Sequence, residues 1–359
     1  MSVQVISKEA MSRCVASLQS RYRVVGPKPV DGQCLFDDIE SPDDLHLDYS
    51  QTVLPPKKYL LPQREELLRF KTDGSAIEPI LDGRPTVVLG VHTCDLHAIQ
   101  LLDEVFSAGH ADQPYLRRRA KTLLISVECL KPCTQHSFCK SMGTLTATGV
   151  FDLHLTDLGH EYMVDVGSDM GQSLLDEHAE TRPATDDDYK RLNTVLSEKW
   201  PRFWYRLDFD VSELPSLMRT SYNSRVWEDL GRRCLACGSC TIVCPTCYCF
   251  NVIDEVDFAR SMGTRARVWD SCQLDEFATV AGGHNFRPTR VARQRHRFMR
   301  KGQYQTDSYH LLGCVGCGRC AQACLVHITP VDTFNALYHE RAGSAQTSKE
   351  PAASAAKGK

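Results

Sequence analysis

The sequence lacks a charge of one sign and lacks any long apolar run. Its formal net charge is −3 over 359 residues, which creates no overall field for binding nucleic acid. No uninterrupted apolar run approaches the length of a membrane span, and the first residues, MSVQVISKEAMSRC, contain no apolar signal-peptide core. We therefore expect a cytoplasmic protein with no nucleic-acid partner and no membrane partner.

Motifs that mark common catalytic and nucleotide sites are also missing. The sequence contains no complete G-x-G-x-x-G, no Walker loop and no G-x-S-x-G elbow. It has no paired C-x-x-C motifs near both ends that would indicate a nickel site. We therefore predict no catalytic residue in this chain.

Cysteine, in contrast, is abundant, with seventeen copies. The spacing C-x2-C-x2-C-x3-C occurs twice, first at Cys234, Cys237, Cys240 and Cys244, and again at Cys314, Cys317, Cys320 and Cys324. In bacterial ferredoxins, three cysteines of such a run hold one iron–sulfur cluster, and the fourth ligates the other cluster. We therefore expect two [4Fe–4S] clusters with exchanged ligands. The first set is Cys234, Cys237, Cys240 and Cys324, and the second is Cys314, Cys317, Cys320 and Cys244.

Other uses of cysteine fit this pattern poorly. Structural zinc usually takes two ligands from each of two C-x-x-C pairs, and it does not require four cysteines in one run, twice. Disulfide frameworks belong to short secreted chains. A duplicated run in a chain with no signal peptide indicates metal ligation in a reducing compartment.

Four further cysteines suggest a third site in the first half of the chain. The apolar runs at 85–91 and 122–128 predict strands of a parallel sheet, with a helix over 95–106 between them and another strand at 161–167. Adjacent parallel strands present their carboxyl ends at one edge, where α/β folds build their sites. A third iron–sulfur cluster could take the thiols that follow these strands, and reduced structural cysteines or a zinc site are the alternatives. The residues are Cys94, Cys129, Cys133 and Cys139.

Three cysteines near the first run fit more than one role. Cys247 and Cys249 follow that run directly, and Cys272 lies further along. They could shield or hydrogen-bond a cluster, ligate another metal, or be buried as small apolar side chains.

The predicted fold is α+β and has three parts. Residues 1–220 form an α/β domain, residues 221–340 form a bacterial-type dicluster ferredoxin domain, and residues 341–359 form a disordered tail. An insertion at about 250–312 separates the two cluster motifs and carries a strongly basic stretch. We expect its cations to face the clusters or a partner: Arg287, Arg290, Arg293, Arg295, Arg297, Arg300 and Lys301.

Several segments together resemble one known family. They include CLACGSCTIVCPTCYCFNVID, GVHTCDLHAIQLLDEVF, RVWDSCQ, GGHNFRPTR and GCVGCGRCAQAC, and the likeness extends roughly over residues 50–332. The chain resembles the beta subunit of cytoplasmic sulfhydrogenases, which are NAD(P)-linked [NiFe] hydrogenases, and also the iron–sulfur electron-transfer subunit of anaerobic sulfite reductase. Two departures stand out: Leu325 replaces a proline, and Ser137 stands where the family has a cysteine.

The resemblance implies an electron-transfer subunit with no active site of its own. Its partners would be a flavin- and NAD(P)-binding gamma subunit with iron–sulfur clusters, and the small and large subunits of a [NiFe] hydrogenase. The alternative is the corresponding subunit of an anaerobic sulfite reductase, with a sirohaem-bearing catalytic partner. A second alternative is a reductase that binds its own substrate in the N-terminal crevice near Cys94 and Cys129.

Overall fold

A computed structural model describes residues 3–81 and 83–347 of the chain. Within those residues, no helix is long and apolar enough to cross a membrane. The strands are β1 (Val3–Ser7), β2 (Arg23–Val30), β3 (Gln33–Asp38), β4 (Arg64–Lys71), β5 (Ile77–Pro79), β6 (Thr86–His92), β7 (Thr122–Val127), β8 (Leu153–Asp157), β9 (Glu161–Val166), β10 (Arg182–Pro183), β11 (Phe250–Val256) and β12 (Met262–Trp269).

The helices are distributed between and after these strands. The α-helices are α1 (Lys8–Leu18), α2 (Thr93–Ser107), α3 (Gln113–Ala120), α4 (Asp169–His178), α5 (Asp186–Arg202), α6 (Leu214–Thr220), α7 (Val226–Arg233), α8 (Ser239–Ile242), α9 (Arg290–Met299), α10 (Gln305–Tyr309), α11 (Arg319–Gln322) and α12 (Pro330–Thr347). Short 3-10 turns occupy Pro42–Asp44, Pro56–Tyr59, Val211–Glu213 and Glu276–Ala278, and one π-helical turn occupies Arg300–Tyr304.

The first half of the chain is built on an eight-stranded sheet in the order β10-β1-β9-β8-β7-β6-β2-β3. Its centre is parallel, because β2 pairs with β6, β6 with β7, and β7 with β8 in that sense. Helices α1 and α4 pack on one face, and α2 and α3 pack on the other. Every residue of β6 and β7 is buried, as expected of strands covered on both faces. The predicted strands and the α2 helix are confirmed, and β6 and β7 are adjacent and parallel.

A second sheet joins distant parts of the chain. It has the order β11-β12-β4-β5 and is antiparallel throughout, so strands from the insertion pair with strands from the first half. Buried charges stabilise the junction: Arg267 of β12 donates from Nη2 to Glu65 of β4 at 2.6 Å, and from Nη1 to Asp112 at 2.5 Å. The insertion is therefore anchored to the N-terminal half and not only to the ferredoxin motifs.

The last third of the chain packs around its own helical core. Trp227 of α7, Phe298 of α9 and Phe334 of α12 are fully buried there. Helix α12 continues to Thr347, so the first residues of the segment predicted as disordered are helical, because the helix extends from a buried first half. The remaining residues of that segment, 348–359, lie outside the described residues.

Candidate metal centres

The two cysteine runs adopt the same local structure. Each run passes through a glycine with φ of 79°, Gly238 or Gly318, and then forms a one-turn helix, α8 or α11. This left-handed conformation favours glycine, and it turns the chain so that thiols three residues apart point the same way. The duplication in sequence is therefore also a duplication in shape.

The thiols of the two runs line two cavities, and each cavity is lined by thiols from both runs. The empty volumes of the two cavities are about 380 and 420 Å³. The first is lined by Cys234, Cys237, Cys240 and Cys324. The second is lined by Cys244, Cys314, Cys317 and Cys320, with Cys240 in the wall between the two.

Hydrogen-bond donors surround the thiols of the first cavity. Cys234 Sγ accepts from the backbone N–H of Ala236 at 3.3 Å and from Gln294 Nε2 at 2.8 Å. Cys324 Sγ accepts from the backbone N–H of Ile328 at 3.3 Å. Such donors stabilise a thiolate more than a neutral thiol, and they are a means of tuning an iron–sulfur cluster. The residues present therefore fit an anionic cluster–thiolate group.

Two buried cations supply the matching charge. Arg297 lines both cavities and is 5% exposed, and Lys301 lines the second cavity and is 9% exposed. Burial lowers the pKa of Arg297, but the nearby thiols of Cys240 and Cys320 outweigh burial, and its pKa is raised overall. Burial also lowers the pKa of Lys301, but the nearby thiols of Cys244 and Cys247 outweigh burial, and its pKa is raised overall.

The four candidate thiols of the third site also come together. Cys94 lies in the first turn of α2 and Cys129 lies two residues beyond the end of β7, so both lie at the carboxyl edge of the parallel strands. Cys94, Cys129 and Cys139 share one buried apolar cluster. The interaction between the neighbouring Cys129 and Cys133 thiols lowers the pKa of Cys129 and raises that of Cys133. Thr93 Oγ1 is a further donor to Cys129 Sγ, at 3.6 Å.

The serine in this loop is buried and forms hydrogen bonds to the backbone. Ser137 is buried, and its hydroxyl accepts from the backbone N–H of Thr134 at 3.1 Å and donates to the carbonyl of Cys317 at 3.5 Å. The thiol facing Cys129 belongs to Cys133.

The third group of thiols adjoins the second cysteine run. Cys317 and Val315 belong to the same buried cluster as Cys94 and Cys129. Gly316 packs so closely that a Cβ atom there would lie 2.6 Å from the backbone nitrogen of Cys139. The carbonyl of Gly316 accepts from the backbone N–H of Phe138 at 2.8 Å.

A buried ion pair that the sequence did not predict holds the same junction. Arg319 donates to both carboxylate oxygens of Asp95, at 2.7 and 2.8 Å, and both side chains are almost fully buried. Each residue directly adjoins a candidate ligand, Asp95 after Cys94 and Arg319 before Cys320. A charged residue beside each thiol was the only signal in the sequence.

The three cysteines near the first run, Cys247, Cys249 and Cys272, line one further cavity, whose empty volume is about 270 Å³. The other side chains that line it are Thr246, Tyr248, Arg297, Arg300 and Lys301. Across the described part of the chain, no three histidine, cysteine or acidic side chains converge on a point that one metal ion could occupy. The thiols instead line the walls of cavities.

A crevice lies at the carboxyl ends of β6, β7 and β8. Its walls include His92, Glu128, Cys129 and Cys133. Burial lowers the pKa of His92 to about 3, so its imidazole is neutral, and it stacks on Tyr49 with ring centroids 4.1 Å apart. The crevice gives the third group of thiols an opening toward the surface.

Comparison with known proteins agrees with this architecture. The 4Fe-4S dicluster domain family matches residues 233–328. The beta subunit of sulfhydrogenase 2 from Pyrococcus furiosus is 35% identical over 314 residues, which cover 87% of this chain and 91% of that protein. No solved structure matches the chain. The predicted family is thereby confirmed: the chain is an iron–sulfur protein of the sulfhydrogenase beta-subunit family and carries a 4Fe-4S dicluster domain.

Proposed function

We propose that this chain is the electron-transfer subunit of a cytoplasmic NAD(P)-linked [NiFe] hydrogenase. It relays electrons between a subunit that binds flavin and NAD(P) and the hydrogenase subunits. Two [4Fe–4S] clusters are held by the two exchanged sets of motif cysteines. A third iron–sulfur cluster is held by Cys94, Cys129, Cys133 and Cys139.

The observation that carries the proposal is that the three thiol groups adjoin one another. Arg297 forms part of the wall of both cavities that the two cysteine runs line, the motif cavities. Cys317, from the second motif, packs in one apolar cluster with Cys94 and Cys129 of the third group. Iron–sulfur clusters supply one-electron transfer, at potentials set by hydrogen bonds, net charge and burial. A continuous series of such sites fits a relay better than a structural role.

The relay has two ends that reach the surface. At the first motif cavity Cys237 is exposed, and the apolar side chains beside it are exposed too, Leu235 by 55% and Leu325 by 79%. At the other end, the third group of thiols opens into the crevice. Exposed apolar side chains around a ligand are typical of a contact surface.

Charge around the first end indicates what docks there. Arg232 and Arg233 are exposed at the end of α7, and Arg290 is exposed while its Nη1 donates to the carbonyl of Cys234 at 2.8 Å. Among the described residues, Asp229 is the only carboxylate that pairs with the first two arginines. We assign this surface to a redox subunit that presents an apolar centre with an acidic rim, since complementary charge steers such encounters.

A substitution at this surface tests the docking assignment. Leu325→Glu places a negative charge opposite the acidic rim of the partner and removes an apolar contact. The partner subunit should therefore dissociate more easily during purification. Ile77→Glu is the matched control, because Ile77 is an exposed apolar residue on β5 of the other sheet. Equal retention of the partner by both variants would reject the assignment.

The hydrogenase branch is preferred because the matched relative is a sulfhydrogenase subunit, similar over most of its length. Purification of the intact complex, followed by metal analysis, tests the branch. We expect a flavin-bearing subunit together with a nickel-bearing large subunit, and reduction of the iron–sulfur signals by NADH or NADPH. Sirohaem absorption without nickel would contradict the hydrogenase proposal.

Turnover of a substrate by the isolated chain with an artificial donor would contradict a purely electron-carrying role.

A further inference from the structure

We propose that Cys247, Cys249 and Cys272 hold an additional iron–sulfur cluster with three cysteine ligands. This inference rests on the proposed relay function and extends it by one site. None of these residues belongs to the motif sets or to the third group of thiols.

Strand pairing brings the three thiols to one cavity. Phe250 pairs with Trp269 at the start of β11 and the end of β12, and the backbone N–H of Asp270 donates to the carbonyl of Cys249 at 3.0 Å. Cys272 therefore returns beside Cys249, although they are far apart in sequence. The insertion between the cluster motifs thus delivers a ligand back to the motif region.

The position of Cys247 is fixed from the N-terminal half. Lys57 Nζ donates to the carbonyl of Cys247 at 2.6 Å, and the ammonium also lies 4.2 Å from the centroid of the Trp269 ring. Lys57 is 3% exposed. The cavity wall itself is built from three segments, 246–249, 272 and 297–301, and Lys57 supports the first of them from outside the cavity.

Unpaired cationic charge is the independent observation. Arg297, Arg300 and Lys301 all line this cavity. Within residues 3–81 and 83–347, none of the three forms an ion pair with a carboxylate. Arg297 and Lys301 are buried and Arg300 is half-buried. Cations withdrawn from water require a counter-charge, and a cluster with three thiolate ligands would supply it.

One of these cations belongs to this cavity alone. Arg297 and Lys301 also line the motif cavities, so the motif clusters account for part of their charge. Arg300 lines neither motif cavity; it lies over the Tyr248 ring, 4.7 Å from its centroid, and faces the additional thiols. Arg300 therefore places a cation beside the additional thiols and the Tyr248 ring, and not beside the motif thiols.

The site adjoins the second motif cavity. Thr246 Oγ1 lies 3.3 Å from Cys244 Sγ and accepts from Lys301 Nζ at 2.6 Å. Thr246 also lines the additional cavity. A cluster at this position would extend the relay toward the edge of the four-stranded sheet, where Phe250 and Val252 are exposed.

The test uses the full chain purified without oxygen, as wild type and as the double variant Cys249→Ser/Cys272→Ser. We expect the double variant to lose about three or four irons and a similar number of acid-labile sulfides per chain, with the other cluster signals retained. Cys34→Ser is the control, since Cys34 lines none of the thiol cavities, and it should lose none.

The possible results separate this inference from the proposed function. Unchanged iron and sulfide in the double variant, with clusters present in the wild type, would overturn the additional site alone. Loss of one zinc ion instead of iron would also overturn it. Absence of iron–sulfur clusters from the wild type would refute the relay itself.

A second variant decides the matter if the double variant loses all its clusters. Arg300→Gln should lower the midpoint potential of a single redox couple, since it removes a cation from this cavity alone. A shift in no couple would overturn the inference.

Discussion

The charge of Arg297 should raise the reduction potentials of both motif clusters. Its guanidinium is buried and lines both cavities, so it would favour the added electron of a reduced cluster held in either cavity. In the variant Arg297→Gln the positive charge is lost and the side chain remains polar. Both midpoint potentials should therefore fall.

The expected shift follows from Coulomb's law. At an effective dielectric constant of about 20 and a distance of about 6 to 8 Å, a unit charge interacts with the added electron by about 2 to 3 kcal/mol. For a one-electron couple this corresponds to about 90 to 130 mV, since about 59 mV matches a tenfold change in equilibrium. Rearrangement and water entry would reduce the shift.

An anaerobic redox titration followed by EPR measures the two potentials. Arg297→Lys retains the charge and should keep most of the wild-type values. Arg295→Gln is the matched control on α9, because Arg295 packs over the exposed Tyr222 ring, 4.1 Å from its centroid. Unchanged potentials in an Arg297→Gln variant that retains both clusters, or an equal fall of the potentials in Arg295→Gln, would refute this electrostatic role of Arg297.

Three further predictions test the ligand sets and the junction between the sites. Cys324→Ala should damage the cluster of the first motif, and EPR showing loss of only the second cluster would contradict the exchange. Asp95→Asn leaves Arg319 buried without its counter-charge and should lower the free energy of unfolding by about 3 to 5 kcal/mol, measured by denaturant titration against the conservative Asp95→Glu. Gly316→Ala should destabilise the chain more than Gly109→Ala, because both glycines have positive φ but only the first has backbone atoms within 3 Å of the added Cβ. Equal losses of stability in the two alanine variants would show that the close packing is unimportant.

Local patterns in the sequence predicted the parts of the molecule that depend on local structure. The spacing of each cysteine run, with Gly238 or Gly318 inside it, encodes its own turn and helix. The apolar runs of β6 and β7 encode buried parallel strands, and the thiols after them therefore come to one edge.

Features that depend on distant contacts could not be predicted in this way. No local sequence pattern in β4 or β11 indicates that strands from before and after the first cysteine run share a sheet. The basic stretch of the insertion was expected to face clusters or a partner, but only the packing of α9 distinguishes the buried Arg297 from the outward-facing Arg295. The Asp95–Arg319 ion pair likewise arises where two halves of the chain meet.

The proposed relay requires the thiol groups to hold one continuous series of clusters. An EPR-monitored reductive titration of the intact chain, with iron and sulfide determined on the same sample, tests this continuity. We predict at least about twelve irons per chain and, at full reduction, the broadened spectrum of magnetically interacting clusters, because adjoining cavities share walls. A sample with only about eight irons, or with fully reduced clusters that give separate and non-interacting signals, would contradict the account.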